Sequence, residues 1–176
     1  MIDSERVIRA LEFATQKHEG QKRIGGIEYI THPIAVCEMV KKQGYGEDYQ
    51  ITALFHDLLE DTDATEEDIL KFSNQNVLTA VKLLTKEKGY DMQTYIDGIK
   101  SNPIAFVVKG ADRLHNLQSA LVTGVEFKRK YVLETVDWYL DFSDEIKIAV
   151  KKLAQSLDTP ISELSFLYTS IESWKI

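Results

Sequence analysis

Cysteine is all but missing from this chain. Cys37 is the only one in 176 residues, so neither an intrachain disulfide nor a cysteine-built zinc site is available. Set among Val36, Met39 and Val40, it reads as a small core residue. Proline and glycine are scarce as well, three and nine respectively, which leaves room for long helices. No apolar run approaches the length of a membrane span. The opening stretch, MIDSERVIRALEF, holds no apolar core of the kind a secretory leader needs, so the cytoplasm is the expected compartment. Positive charge is also short: a net charge of −7 argues against broad non-specific binding to nucleic acid. A polyanionic substrate would need a few cations gathered in one place, and Lys22, Arg23, Lys109 and Arg113 are the candidates.

What is present is an ordinary globular balance, 44% apolar and 28% charged residues, long enough for a single domain over 1–176 with one core. The apolar spacing is helical throughout. A helix is expected over 3–19, with Val7, Leu11, Ala14 and His18 on one face. The segment 20–33 reads as a loop turning at Gly25-Gly26, and Pro33 suits the first position of a helix ending near Gly44. Further helices are expected at 48–60, 65–73, 75–85, 91–100 and 103–122. A long amphipathic stretch follows over 126–154, then a helix over 160–171. Glu28-Tyr29-Ile30 could be extended but makes no sheet, so the fold class is all-α. The amphipathic tail 162–174 could pack on its own domain or on a second subunit, a homo-oligomer.

The segment HDLLED (56–61) carries the densest chemistry. On a continuous helical wheel Ile51, Leu54, Phe55, Leu58 and Leu59 share one arc, while His56, Asp57, Glu60 and Asp61 share the opposite one. Read alone this is an amphipathic helix with a solvated face. Yet the carboxylates crowd the last turns of the expected helix, where the macrodipole disfavours negative charge. No lysine or arginine lies within 51–70, and a bound cation would supply the missing charge.

Two further segments contribute. His32 stands at a loop-to-helix boundary in YITHP (29–33), fixed by the helix start yet accessible from the loop. In the helix over 103–122, Lys109, Asp112, Asn116 and Ser119 form one polar stripe, and His115 beside it reads as a core histidine or a supporting group. His32, His56, Asp57 and Asp112 together make a mixed nitrogen and oxygen set for one divalent ion. Such a set suits manganese, iron or magnesium better than closed zinc coordination.

Four segments, HEGQKR (18–23), YITHP (29–33), HDLLEDT (56–62) and ADRLHNL (111–117), resemble in the same order the signature segments of the hydrolase domain of RelA/SpoT-type alarmone enzymes. Lys130, Tyr131, Glu134 and Thr135 are similar to that family's next helix. The resemblance covers roughly residues 5–145 and leaves 146–176 as C-terminal helices. It implies an all-α HD-domain bundle that removes the 3′-pyrophosphate of guanosine tetra- and pentaphosphate, usually with Mn2+. It makes His32, His56, Asp57 and Asp112 the metal ligands, Glu60 and Asp61 the acidic pair beside the attacking water, and Arg23 and Asn116 substrate contacts. Either acid could take the proton, and Glu60→Gln is expected to keep the metal and lose most of the rate. Lys22, Lys109 and Ser119 join the substrate-contact candidates. The expected partner is a guanine nucleotide, with no nucleic acid and no membrane.

Ile24 stands where the family often has a basic residue that helps hold the guanine base, and Gln118-Ser119 replaces a commoner arginine-threonine pair. Both favour a second reading, an HD phosphohydrolase acting on another nucleotide or phosphate ester. A third, a non-catalytic nucleotide- or partner-binding module, sits badly with a complete set of ligands and acids.

Overall fold

We describe residues 4–157 of a computed structural model. The expected helix over 160–171, and with it the amphipathic tail, lies outside the described residues. Among the described residues the structure is all-α. The chain runs through α1 (Glu5–Lys17), α2 (Thr31–Lys42), α3 (Glu47–Phe55), α4 (Leu58–Asp61), α5 (Glu66–Phe72), α6 (Gln75–Leu84), α7 (Met92–Lys100), α8 (Pro103–Ala120), α9 (Val125–Trp138) and α10 (Asp144–Gln155). Among the described residues the one bridged pair is an isolated antiparallel bridge between Lys22 and Glu28. Gly25 and Gly26 close the turn between them at φ of 95° and 82°, a backbone that side-chain-bearing residues rarely adopt.

The chain forms two compact units, one through His115 and the other from Asn116 onward. In the first, α3 is the hub and packs against α1, α2 and α6. Its Ile51, Leu54 and Phe55 are fully buried with Val36 and Val40 of α2, Ile69 of α5 and Val81 of α6. Phe13 of α1 stacks on Phe72 at 4.4 Å and meets Phe55 edge-on at 5.7 Å, fixing α1 and α5 around α3. In the second unit α9 packs with α10, and Val132, Tyr139, Ile146, Val150 and Leu153 are buried.

Local chemistry explains where helices begin. Ser4, Asn74, Asp91 and Ser143 each accept an N-terminal backbone N–H, and Thr65 with Asp68 forms a reciprocal capping box. Three boundaries differ from the sequence reading. Helix α2 begins two residues before Pro33, placing the proline within its first turn, where its missing N–H costs nothing. The stretch 126–154 is two helices because Ser143 caps a new one. The expected helix 48–60 is interrupted at His56-Asp57. There the His56 Nδ1–H donates to the Ala53 carbonyl at 2.8 Å, competing for the acceptor that the Asp57 N–H would use in a continuous helix.

Candidate metal centre

The break between α3 and α4 sets His56 and Asp57 side by side, with the His56 Nε2 to Asp57 Oδ2 distance at 3.0 Å. The first turn of α2 brings in His32, whose Nε2 lies 3.3 Å from that of His56 and 3.9 Å from Asp57 Oδ2. Helix α8 brings in Asp112, whose Oδ1 is 3.1 Å from His32 Nε2 and 3.8 Å from His56 Nε2. His32, His56 and Asp57 have donor atoms all within 4.8 Å of one another. Donors about 2.1 Å from a common ion lie roughly 3–4 Å apart, so His32, His56 and Asp57 could hold one divalent cation, and Asp112 lies beside the two imidazoles.

Electrostatics describes the same centre. Burial pushes the His32 imidazole below its ordinary pKa, against the pull of Asp112. Burial acts on His56 in the same direction, but Asp57 and Asp112 outweigh it and raise the group to about 9. Asp57 and Asp112 are held below the usual carboxylate range: burial opposes this, and the cationic neighbours, His56 for the first and Lys109 for the second, overcome it. Both aspartates therefore stay ionised and can offset a divalent charge.

Around the ligands the expected residues divide. Tyr29 donates its hydroxyl to Asp57 Oδ2 at 2.6 Å and lies 3.2 Å from Asp61 Oδ2, tying Asp61 to the ligand set. Partial burial and the Asp57 charge raise the Asp61 pKa. Glu60 turns elsewhere, its Oε2 accepting the Lys86 backbone N–H at 2.9 Å. Lys109 reaches Asp112 Oδ2 at 2.9 Å, is only 9% exposed and lies 5.8 Å from the centre of the Tyr95 ring. Lys22 pairs with Glu28 across the bridge, on the surface. Arg23 is near enough to His115 to help lower its pKa, after burial and His32, to about 4. His115 Nδ1 lies 2.7 Å from His32 Nδ1. Asn116 and Ser119 lie on the part of α8 that belongs to the second unit, each half-buried.

Three residues stand closer to the centre than their sequence context suggested. Tyr29 is one. His18 and Gln21 are the others: His18 packs under the Tyr29 ring at 4.8 Å and bonds Gln21, which donates to the Asp61 carbonyl at 2.7 Å. All four histidines of the chain, His18, His32, His56 and His115, thus lie in or next to one cluster, a signal that a bare count of four could have raised. The argument for a cation from acidic crowding at a helix end is weakened by the structure. Asp57 stands at the N-cap of α4, where negative charge is favoured, not at a helix C-terminus. Asp63 has its cation from outside the segment, Lys17 at 2.9 Å.

With the geometry in place, the chain can be compared with known proteins. It matches the HD domain family over residues 10–145. It is 29% identical over 180 residues to the guanosine-3′,5′-bis(diphosphate) 3′-pyrophosphohydrolase of Aquifex aeolicus, covering 98% of this chain and 25% of that protein. It is 28% identical to the GTP pyrophosphokinase rsh of Brucella melitensis, covering 95% of this chain and 23% of that one. The chain thus spans about a quarter of the length of these curated relatives. Its fold is similar, at a TM-score of 0.67 and 24% identity, to a solved structure described as a metazoan ortholog of SpoT that hydrolyzes ppGpp and plays a role in starvation responses. That likeness covers 93% of this chain and 97% of the other.

Proposed function

The chain belongs to the HD domain family, and from that premise we propose that it is a metal-dependent phosphohydrolase that removes the 3′-pyrophosphate of guanosine tetra- and pentaphosphate, giving GDP or GTP and pyrophosphate. The observation that carries this reading is the convergence of His32, His56, Asp57 and Asp112 with Asp61 tied beside them by Tyr29. The names of the Aquifex and metazoan relatives support the choice of substrate. Residues 1–176 act as one hydrolase domain in the cytoplasm, and no helix among the described residues is long and apolar enough to cross a membrane.

The four ligands would hold one divalent ion; their mixed nitrogen and oxygen character suits manganese, iron or magnesium, and the family resemblance selects Mn2+ among these. When bound, it supplies Lewis acidity for water activation and for phosphoryl charge. Asp61, with its raised pKa, takes the proton of the attacking water. Water adds to the phosphorus joined through the ribose 3′ oxygen, that phosphorus–oxygen bond breaks, and pyrophosphate leaves while the 3′ oxygen regains a proton. Tyr29 and Gln21 keep Asp61 in place from two sides. Arg23, beside His115, offsets charge on the pyrophosphate. Glu60, bonded to the Lys86 amide, supports the loop after α6.

A second reading keeps the centre and changes the substrate. Ile24 is 66% exposed and Ile27 59%, an apolar tip on the Lys22–Glu28 hairpin, so another nucleotide or phosphate ester could be preferred. The deciding assay is Mn2+-dependent turnover of guanosine tetraphosphate against a nucleotide panel, with product identification. Release of GDP and pyrophosphate, lost in His56→Ala and Asp57→Ala, is expected. Turnover of another nucleotide alone selects the second reading, and full turnover by metal-free Asp57→Ala would sink the mechanism.

A further inference from the structure

The two ligand imidazoles are held in different ways. Each must present an unprotonated Nε2 to a cation and therefore carry its proton on Nδ1. For His56 this is dictated by the backbone: its Nδ1 faces the Ala53 carbonyl at 2.8 Å, and a carbonyl can only accept. For His32 the partner is another imidazole, His115 Nδ1, at 2.7 Å, with the rings stacked at 4.9 Å. An imidazole nitrogen can donate or accept, so the state of His32 is set by the state of His115. If His115 Nδ1 carried a proton, His32 Nδ1 would have to accept it, and its Nε2 would then be protonated and useless as a ligand.

We propose that His115 is a positioning residue of the metal centre: its bare Nδ1 accepts the His32 Nδ1–H, fixing the ring so that His32 Nε2 is free to bind metal. This rests on the metal-centre reading above and is independent of which phosphate ester is hydrolysed. The same ring that orients His32 lies beside Arg23. His32 itself is 2% exposed, so little else can reach its inner face. Partners of this sort on ligand histidines typically govern metal affinity by one to two orders of magnitude.

Two measurements test this without turnover. Calorimetric titration with Mn2+ is expected to show His115→Leu binding about 10- to 100-fold more weakly than wild type, while His115→Asn, whose side-chain oxygen can stand where Nδ1 stood, stays within about threefold. Equal loss in both variants, or no loss in the leucine variant, overturns the assignment. Nitrogen-detected NMR of the wild-type protein loaded with diamagnetic Zn2+ keeps the test alive should a variant fail to fold. The proton is expected on His32 Nδ1, with a scalar coupling across the hydrogen bond to an unprotonated His115 Nδ1. A proton on His115 Nδ1 refutes the proposal. A wild-type protein that binds neither metal sinks the metal centre, and this proposal with it. Absent turnover of guanosine tetraphosphate with the NMR signature intact removes only the substrate reading.

Discussion

Replacing Lys109 with methionine separates two roles for that lysine. The sequence suggested a substrate contact, whereas the structure gives an ion pair at 2.9 Å with a metal-ligand candidate, Asp112. The two side chains are 11% and 8% exposed, so solvent screens the pair little. Removing one partner of a buried pair costs about 3–5 kcal/mol, because the other charge stays behind. Asp112 divides its work, Oδ2 toward Lys109 and Oδ1 toward His32 at 3.1 Å. A divalent ion held by Oδ1 would restore much of the lost compensation, and the absent ammonium would no longer repel it. We therefore expect Lys109→Met to lose about 3 kcal/mol of stability in chelator. In saturating Mn2+ the loss should be smaller by at least about 1.4 kcal/mol, which linkage requires to appear as roughly tenfold tighter Mn2+ binding. Urea unfolding with and without metal, beside calorimetric titration, measures both sides. Equal destabilisation in the two conditions would refute the argument, and unchanged stability with a raised KM would return Lys109 to the substrate.

Other outcomes follow from the same geometry. Asp61→Asn should lower kcat by about 100-fold or more while Glu60→Gln lowers it by less than about tenfold, reversing the weight that sequence placed on Glu60; equal effects in steady-state kinetics would contradict the division. Tyr29→Phe should weaken Mn2+ binding through its lost bond to Asp57, and at saturating Mn2+ should lower kcat with no further effect in an Asp61→Asn background; additive losses in kcat would show that Tyr29 does not act through Asp61. For the metal-free protein, the folded-state pKa of His56, about 9, lies above the ordinary 6.5. Its contribution, on the order of 3 kcal/mol, is fully present below pH 6.5 and lost as pH rises through 9. His32, lowered by burial, has finished titrating by then. Thermal melts in chelator should fall across that window, and a flat or rising midpoint would count against the assignment.

The all-α class was legible because it depends on spacing, and the proposed ligand set because its members lie in segments that resemble a known family. Apolar positions every three or four residues marked the helices that bury Ile51, Leu54 and Phe55. The ligands lie in short, distinctive segments. What spacing does not carry is the choice of partner across the chain. Glu60 and Asp61 are adjacent and chemically alike, yet one meets an amide 26 positions away and the other a phenol 32 positions away. Lys22 pairs with Glu28 only because two glycines turn the hairpin between them. Lys109 is the exception: its partner is three residues along the same helix, so the pair could have been read directly from sequence.

The interruption between α3 and α4 shows how a small backbone departure makes the centre. On a continuous helix, consecutive side chains diverge by about 100°, and neighbours in sequence seldom serve one point. Here His56 Nε2 and Asp57 Oδ2 are 3.0 Å apart. The imidazole contributes to this twice: its Nδ1 takes up the Ala53 carbonyl at the break, and the same hydrogen bond fixes the proton away from Nε2. Asp57 then precedes a new helical turn, Leu58–Asp61, whose last residue returns to the site through Tyr29. One consequence can be checked on the backbone alone. Replacing His56 with alanine removes the competitor for the Ala53 carbonyl, so the Asp57 amide should gain a helical hydrogen bond and exchange with solvent more slowly than in wild-type protein without metal. Unchanged exchange at Asp57 would mean that the break is imposed by packing around Leu58, which is fully buried, and not by the histidine.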